Sequence, residues 1–161
     1  MPTSPRTAPQ IGGENPKLSN FLCFAVYSAN LAFGRAYKPI LEALGLTYTQ
    51  YIALVALAEE DDQTVGALGD KLFLESNTLT PMLKKLEQVG YVRRQRDPAD
   101  ERQVRISLTP AGRDLLNTET GVSLIEATGL GEDFAAVQAS VVRLRDNLLR
   151  ATQAKPGKSA S

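Results

Sequence analysis

Apolar residues along this chain recur mostly with helical spacing and alternate with polar ones in one short stretch. Leu18, Phe21, Leu22, Ala25, Ala29, Ala32 and Phe33 fall near the i, i+3, i+4 positions of one face, which predicts a helix from Leu18 to about Leu44. Pro39 should kink or restart it, because proline lacks an N–H and crowds the preceding turn. Gly45 closes the segment. Thr47-Tyr48-Thr49-Gln50 then has the form of a capping box and predicts a helix from Tyr48 to about Glu60. Asp61-Asp62-Gln63 reads as a loop. Thr64 reads as the N-cap of a short helix to Lys71 or Leu72 that buries Val65 and Leu68. Phe73-Leu74-Glu75 connects to a helix near Asn77 to Val89, with Leu79, Met82, Leu83, Leu86 and Val89 on one face and Gly90 past its end. Pro81 is comfortable only in a first turn, which pulls the start toward Thr78.

The period then changes. Val92 to Arg96 and Gln103 to Leu108 are strand-like, and Val104, Ile106 and Leu108 alternate with Gln103, Arg105 and Ser107. The intervening residues 97–102 are turn-forming by composition, so the two runs predict a β-hairpin with a charged tip. Thr109-Pro110 starts another helix, containing Leu115, Leu116, Val122 and Ile125, with its weak point at Gly121 and a break at Gly129 and Gly131. A last helix is expected from about Glu132 to Arg150, where Phe134, Val137, Val141, Leu144 and Leu148 repeat at 3-4-3-4, a coiled-coil-like seam. Residues 1–16 hold four of the nine prolines and read as a disordered lead, and residues 154–161 as a disordered tail.

Composition narrows the chemistry. No run approaches the ~20 apolar residues needed to cross a bilayer, so a cytoplasmic protein without a membrane partner is expected. There is no histidine and one cysteine, which excludes histidine-assisted nucleophiles, an internal disulfide and a Cys/His zinc site; no cofactor or metal is expected. Net charge is zero, but between Ser76 and Arg113 eight basic residues stand against four acidic ones. A basic centre between neutral or acidic flanks suits a DNA-binding core with separate assembly regions.

Helix, short turn, helix, charged hairpin is the order of a winged helix-turn-helix, mainly α with a small β wing. The second helix is the natural reader of DNA. Its apolar side faces the core, and its other side shows Ser76, Asn77, Thr78, Thr80, Pro81, Lys84 and Lys85. Hydroxyls and an amide near a helix N-terminus can meet bases or phosphates, and lysines suit phosphate. The hairpin carries Arg94, Arg96, Arg102 and Arg105, and an arginine at its tip can enter a narrow minor groove. The same pattern also occurs in winged helices that bind protein, so the residues alone leave both partners open.

Leu79 to Glu87 followed by Gly90-Tyr91-Val92 resembles the recognition helix of MarR-type regulators. Arg96 to Arg102 resembles their wing, and Leu108-Thr109-Pro110-Ala111-Gly112 their Leu-Thr-x-x-Gly. Within that family, Leu22-Cys23-Phe24, Gly45 to Tyr51, Thr64 to Leu68 and Leu74 to Thr78 resemble the organic hydroperoxide resistance regulators. The resemblance implies a homodimer built on helices in 17–46 and 110–150, and a DNA-binding lobe over 47–109 with its wing near 92–108, together spanning 17–153. It further implies a repressor of a pseudo-palindromic double-stranded operator that senses organic hydroperoxides at Cys23. Tyr27 and Tyr37 match tyrosines that bond the sensor from the partner subunit, and Tyr48 matches a third used in some members. Asp100 and Arg102 match the aspartate–arginine pair of the wing.

Chemistry makes the sensor reasonable: the thiolate is the reactive form, and the first turns of a helix favour it. Apolar neighbours Phe21, Leu22 and Phe24 would select organic peroxides by contact with the alkyl tail. Some relatives resolve the sulfenic acid with a second cysteine. This chain has none and would need a low-molecular-weight thiol, or would proceed to sulfinic or sulfonic acid. A lone cysteine among apolar neighbours also fits an ordinary core position. Two other readings therefore remain at this stage: a MarR-type repressor that binds a small aromatic ligand, and a thiol peroxidase that turns over at Cys23. Winged-helix patterning favours a regulator over an enzyme.

Overall fold

Leu22–Leu44 forms one helix, α1, after a 3-10 turn at Leu18–Asn20, in a computed structural model that describes residues 17–118 and 123–153. The expected lead and tail, and Gly121 and Val122, lie outside the described residues. The chain divides into two compact units, residues 1–120 and 121–161.

In the first unit, α1 runs through Pro39 as one continuous element, so the helix does not restart there. Pro39 is solvent-exposed, so the carbonyl that its missing N–H would have engaged can turn to water. Gly45 ends α1 at φ +66, with its N–H on the Glu42 carbonyl and the Leu46 N–H on the Leu41 carbonyl, a Schellman closure. Helix α2 (Tyr48–Glu59) starts on the anticipated capping box, with Thr47 and Gln50 bonding each other's backbone N–H. Thr64 caps α3 (Val65–Leu72) by accepting from the Ala67 N–H.

Helix α4 (Ser76–Gln88) begins earlier than expected, which places Pro81 beyond its first turn. Asn77, whose carbonyl loses its intrahelical donor at Pro81, lies exposed on the helix surface. Gly90 at φ +85 closes α4 as Gly45 closes α1.

The segment expected as a loop at Asp61-Asp62-Gln63 supplies a short strand, β1 (Gln63–Thr64). With β2 (Val92–Arg96) and β3 (Val104–Leu108) it makes an antiparallel sheet of order β1-β3-β2. Ile106 pairs with Gln63 on one side and Arg94 on the other. A two-residue strand carries no readable alternation, and its pairing with β3 lies more than forty residues away in the chain. Helix α5 (Pro110–Leu116) starts on Thr109 as N-cap with proline at its head. Gly112 is required there: a Cβ at this position would lie 2.3 Å from the Tyr91 carbonyl oxygen.

The core of this unit is formed by Leu54 and Leu57 of α2, Leu68 of α3, Leu79, Leu83 and Leu86 of α4, and Val92, Ile106 and Leu108 of the sheet. Only Ile40 and Leu41, in the last turns of α1, are buried. The second unit contains α6 (Leu124–Ala127), a 3-10 turn at Gly131–Asp133 and α7 (Phe134–Gln153). The last helix thus starts two residues later than expected. Val137, Val141 and Leu148 of its seam are 40–58% exposed. No single helix among the described residues is long and apolar enough to cross a membrane.

Candidate nucleic-acid interface and cysteine site

Helices α3 and α4 with the β2–β3 hairpin place most of the candidate DNA-binding residues on one lobe. Burial of Leu79, Leu83 and Leu86 turns the opposite side of α4 outward. Asn77, Thr78, Pro81, Lys84 and Lys85 are exposed, and Thr80 is half-buried. Neither lysine makes an ion pair among the described residues. Ser76 and Thr80, one helical turn apart, line a groove of about 650 Å³ together with the first turn of α3, Arg94, Arg102 and Gln103.

The wing turn is held by side chain to backbone bonds. Asp97 Oδ1 accepts from the Ala99 N–H at 2.8 Å, and Asp100 Oδ1 from the Arg102 N–H at 3.1 Å. Asp100 therefore engages the backbone of Arg102, and the Arg102 guanidinium has no ion pair among the described residues. Arg96 donates to the Glu101 carbonyl at 3.1 Å.

Two arginines of the set are already engaged. Arg94 is half-buried, pairs with Glu87 of α4 at 3.4 Å, and keeps a buried Nε without a hydrogen-bond partner. Arg105 pairs with Asp62 at 3.0 Å and with Asp97 at 3.2 Å. The Asp97 carboxyl is held below its ordinary value, first by the Ala99 N–H and then by Arg105. Sequence reasoning missed the acidic partners in this network, Asp61 and Asp62. Two aspartates just before an N-capping threonine were the available signal, but they look the same in any solvated loop.

Cys23 is the second residue of α1, exposed, in an apolar cleft of about 370 Å³ lined by Leu18, Phe21, Phe24 and Tyr27. Tyr37 and Tyr48 meet elsewhere. Their rings stand edge to face at 5.1 Å in a second cleft of about 410 Å³ with Asn30, Leu31, Phe33 and Gly34. Cys23 and Tyr37 are separated by about 21 Å of helix axis at a rise of about 1.5 Å per residue. Within one chain, then, Tyr27 is near the cysteine and the other two tyrosines are not. Burial, followed by the adjacent Tyr48 and Tyr51, raises the Tyr37 phenol above 10.0, so it keeps its proton and remains a donor at neutral pH.

This architecture defines a winged helix-turn-helix, the DNA-binding class anticipated from the element order. A family model described as transcriptional regulator SarA/Rot matches residues 35–118. The organic hydroperoxide resistance transcriptional regulator of Bacillus subtilis is 39% identical over 84% of this chain and 94% of its own. The HTH-type transcriptional regulator TtmR of Methylorubrum extorquens is 46% identical over 80% of this chain and 72% of its own. AbfR of Staphylococcus epidermidis, solved reduced and bound to DNA, superposes with a TM-score of 0.67 at 36% identity, covering 86% of this chain and 96% of that one. The chain belongs to the SarA/Rot family of MarR-like transcriptional regulators and is a DNA-binding regulator of that winged-helix type.

Proposed function

We propose that two copies of this chain grip a pseudo-palindromic operator as a repressor, and that organic hydroperoxide releases it by oxidising Cys23. The carrying observation is the pairing of two surfaces on one chain: a DNA-facing side of α4 with unpaired lysines, and an exposed cysteine seated among apolar side chains. In this reading Asn77, Thr78, Pro81, Lys84 and Lys85, with Ser76 and Thr80 at the groove edge, meet the major groove and its phosphates. Arg102, presented by Asp100, enters the adjacent minor groove, with Arg96 beside it. The exposed stripes of α1 and α7 would join the two copies, and the Tyr37–Tyr48 cleft of one would approach Cys23 of the other.

The sulfur attacks one peroxide oxygen, the O–O bond breaks, and the alkoxide leaves as an alcohol, giving Cys23 sulfenic acid. A low-molecular-weight thiol then displaces water to form a mixed disulfide, or further peroxide carries the sulfur to sulfinic or sulfonic acid. Added bulk or charge beside α1 alters the spacing of two α4 helices that must lie about 34–36 Å apart. Each protein molecule reacts once per oxidation event, without turnover.

The test is operator binding during titration with cumene hydroperoxide, with intact mass followed alongside. The wild type should release DNA as it gains two or three oxygens, or the mass of an added thiol, and Cys23→Ser should stay bound. An equal response from both proteins would defeat the redox reading. The Tyr37–Tyr48 cleft also favours a second reading, an aromatic effector, since about 400 Å³ suits a small ligand. Release of DNA by such a compound in Cys23→Ser would establish it.

A further inference from the structure

We propose that Asp61 and Asp62 form a clasp that sets the wing against the rest of the lobe, with Arg105 as a positioning residue for Arg102. This rests on the DNA reading of the wing above and concerns how that wing is aimed.

The clasp has a fixed footing. Gln63 is buried and donates to the Ala56 and Glu60 carbonyls at 3.1 and 2.5 Å, which ties the start of β1 to the end of α2. From there Asp61 reaches outward with both carboxylate oxygens. Oδ1 accepts from the Leu108 N–H at 2.8 Å, and Oδ2 from Arg113 of α5 at 2.5 Å. Asp62 has φ +55, a left-handed conformation that non-glycine residues rarely hold without compensation. The turn aims its carboxylate at Arg105 Nε, 3.0 Å away, and its carbonyl at Arg105 Nη2. Arg105 Nη1 then reaches Asp97 Oδ2, at the first residue of the wing turn, at 3.2 Å.

Every nitrogen of the Arg105 guanidinium is thus engaged within the lobe, and its side chain is 33% exposed. A phosphate contact would compete with these bonds. Beyond the last sheet pair, Arg96 with Val104, the wing is held among the described residues by its own turn bonds and by this single bridge from Asp97 through Arg105 to Asp62. Arg102 lies at the far end of that turn. A lever fixed at its base transmits any loosening to its tip. Asp61 also holds α5 through Arg113, so one dipeptide links wing base, sheet edge and α5.

Charge alone predicts the opposite outcome, which makes the inference testable. Asp62 is a negative group on a DNA-binding lobe, so plain electrostatics expects its neutralisation to tighten binding. A clasp expects neutralisation to weaken it. Asparagine tolerates the left-handed conformation, so Asp62→Asn removes charge and leaves the backbone geometry available.

The experiment uses the full chain and a duplex enriched by the wild-type protein from a random-sequence pool. Asp62→Asn should weaken binding about tenfold, the scale of one misplaced groove contact. Its salt slope should shift toward that of Arg102→Ala, because the contact it weakens is the one that Arg102 makes. Arg102→Ala should weaken binding and flatten the salt slope by about one. In the Arg102→Ala background, Asp62→Asn should add less than about a further twofold, since it acts through the residue already removed. Arg105→Lys keeps the charge but cannot fork to both carboxylates, and it should behave like Asp62→Asn. It also serves if Asp62→Asn fails to fold. Binding by these variants at wild-type strength or tighter, or losses that multiply with Arg102→Ala, would overturn the clasp. Failure of the wild type to enrich any duplex, or wild-type binding by Arg102→Ala, would instead defeat the DNA reading of the wing, and the clasp with it.

Discussion

Helices α1 and α4 are both amphipathic, yet they meet different fates within one chain. In α4, Leu79 and Leu83 are 0% exposed, packed beneath α2, α3 and the sheet. In α1, Leu22 is 62% exposed, Leu31 46% and Phe33 47%. Helix α4 has found its apolar partner inside its own unit. Most of the α1 stripe has found none there. An apolar surface so large on a folded lobe marks a place where another surface belongs. The seam of α7 presents the same condition in the second unit. Self-contained packing thus goes with the DNA-facing lobe, and incomplete packing with the helices proposed to join two copies. Cys23 lies on the incomplete side, where the proposed oxidation would act on an association and not on a core.

The sharpest way to break this contrast is to damage each side separately. Leu83→Ala should cost about 3 kcal/mol, the scale of a leucine cavity in a packed core, read by urea unfolding. A loss below about 0.5 kcal/mol would mean that the lobe is not self-contained. Val141→Asp on α7 should weaken self-association at least about 100-fold, about 2.7 kcal/mol, measured by sedimentation equilibrium. The lobe's sheet and helix signals should persist in that variant. Unchanged association would remove α7 from the interface.

A smaller effect tests local order at the junction of the two regions. Thr47→Ala removes one half of the box that starts α2 and should lower stability by about 1 kcal/mol. The smallest effect concerns pH. The Asp97 carboxyl is lowered in the fold, so its stabilising contribution is present above the ordinary value of 3.8 and is lost as pH falls through the lower folded value. Amide shifts of the wing should follow that acid transition, and Asp97→Asn should abolish it. A transition that persists in Asp97→Asn would assign it to another carboxylate.

Local signals were legible because their causes are local. Thr47 with Gln50, Thr64, Gly45, Gly90 and Thr109-Pro110 each mark an element end by satisfying or removing a backbone donor within four residues. The wing followed from alternation over Val104, Ile106 and Leu108, all of which the structure turns toward the core. Pro39 and Pro81 sit inside continuous helices because helix-breaking is a propensity, and the surrounding turns outweigh one missing bond on an exposed face. The charge surplus pointed to the right lobe but could not sort its members. Lys84 and Arg102 are unpaired among the described residues, whereas Arg94 and Arg105 are bound to carboxylates.

By itself the sequence determined the order of helices and hairpin, where most of them stop, which lobe is basic, and that one cysteine stands near the start of the first helix. Those properties depend on neighbours a few positions away. The tertiary structure decided that Gln63 and Thr64 are a strand, that Asp61 and Asp62 reach the wing base and α5, and that Tyr37 and Tyr48 sit apart from Cys23 on their own chain. Each of these depends on residues distant in sequence being brought within a few ångströms, and no local periodicity encodes that closeness.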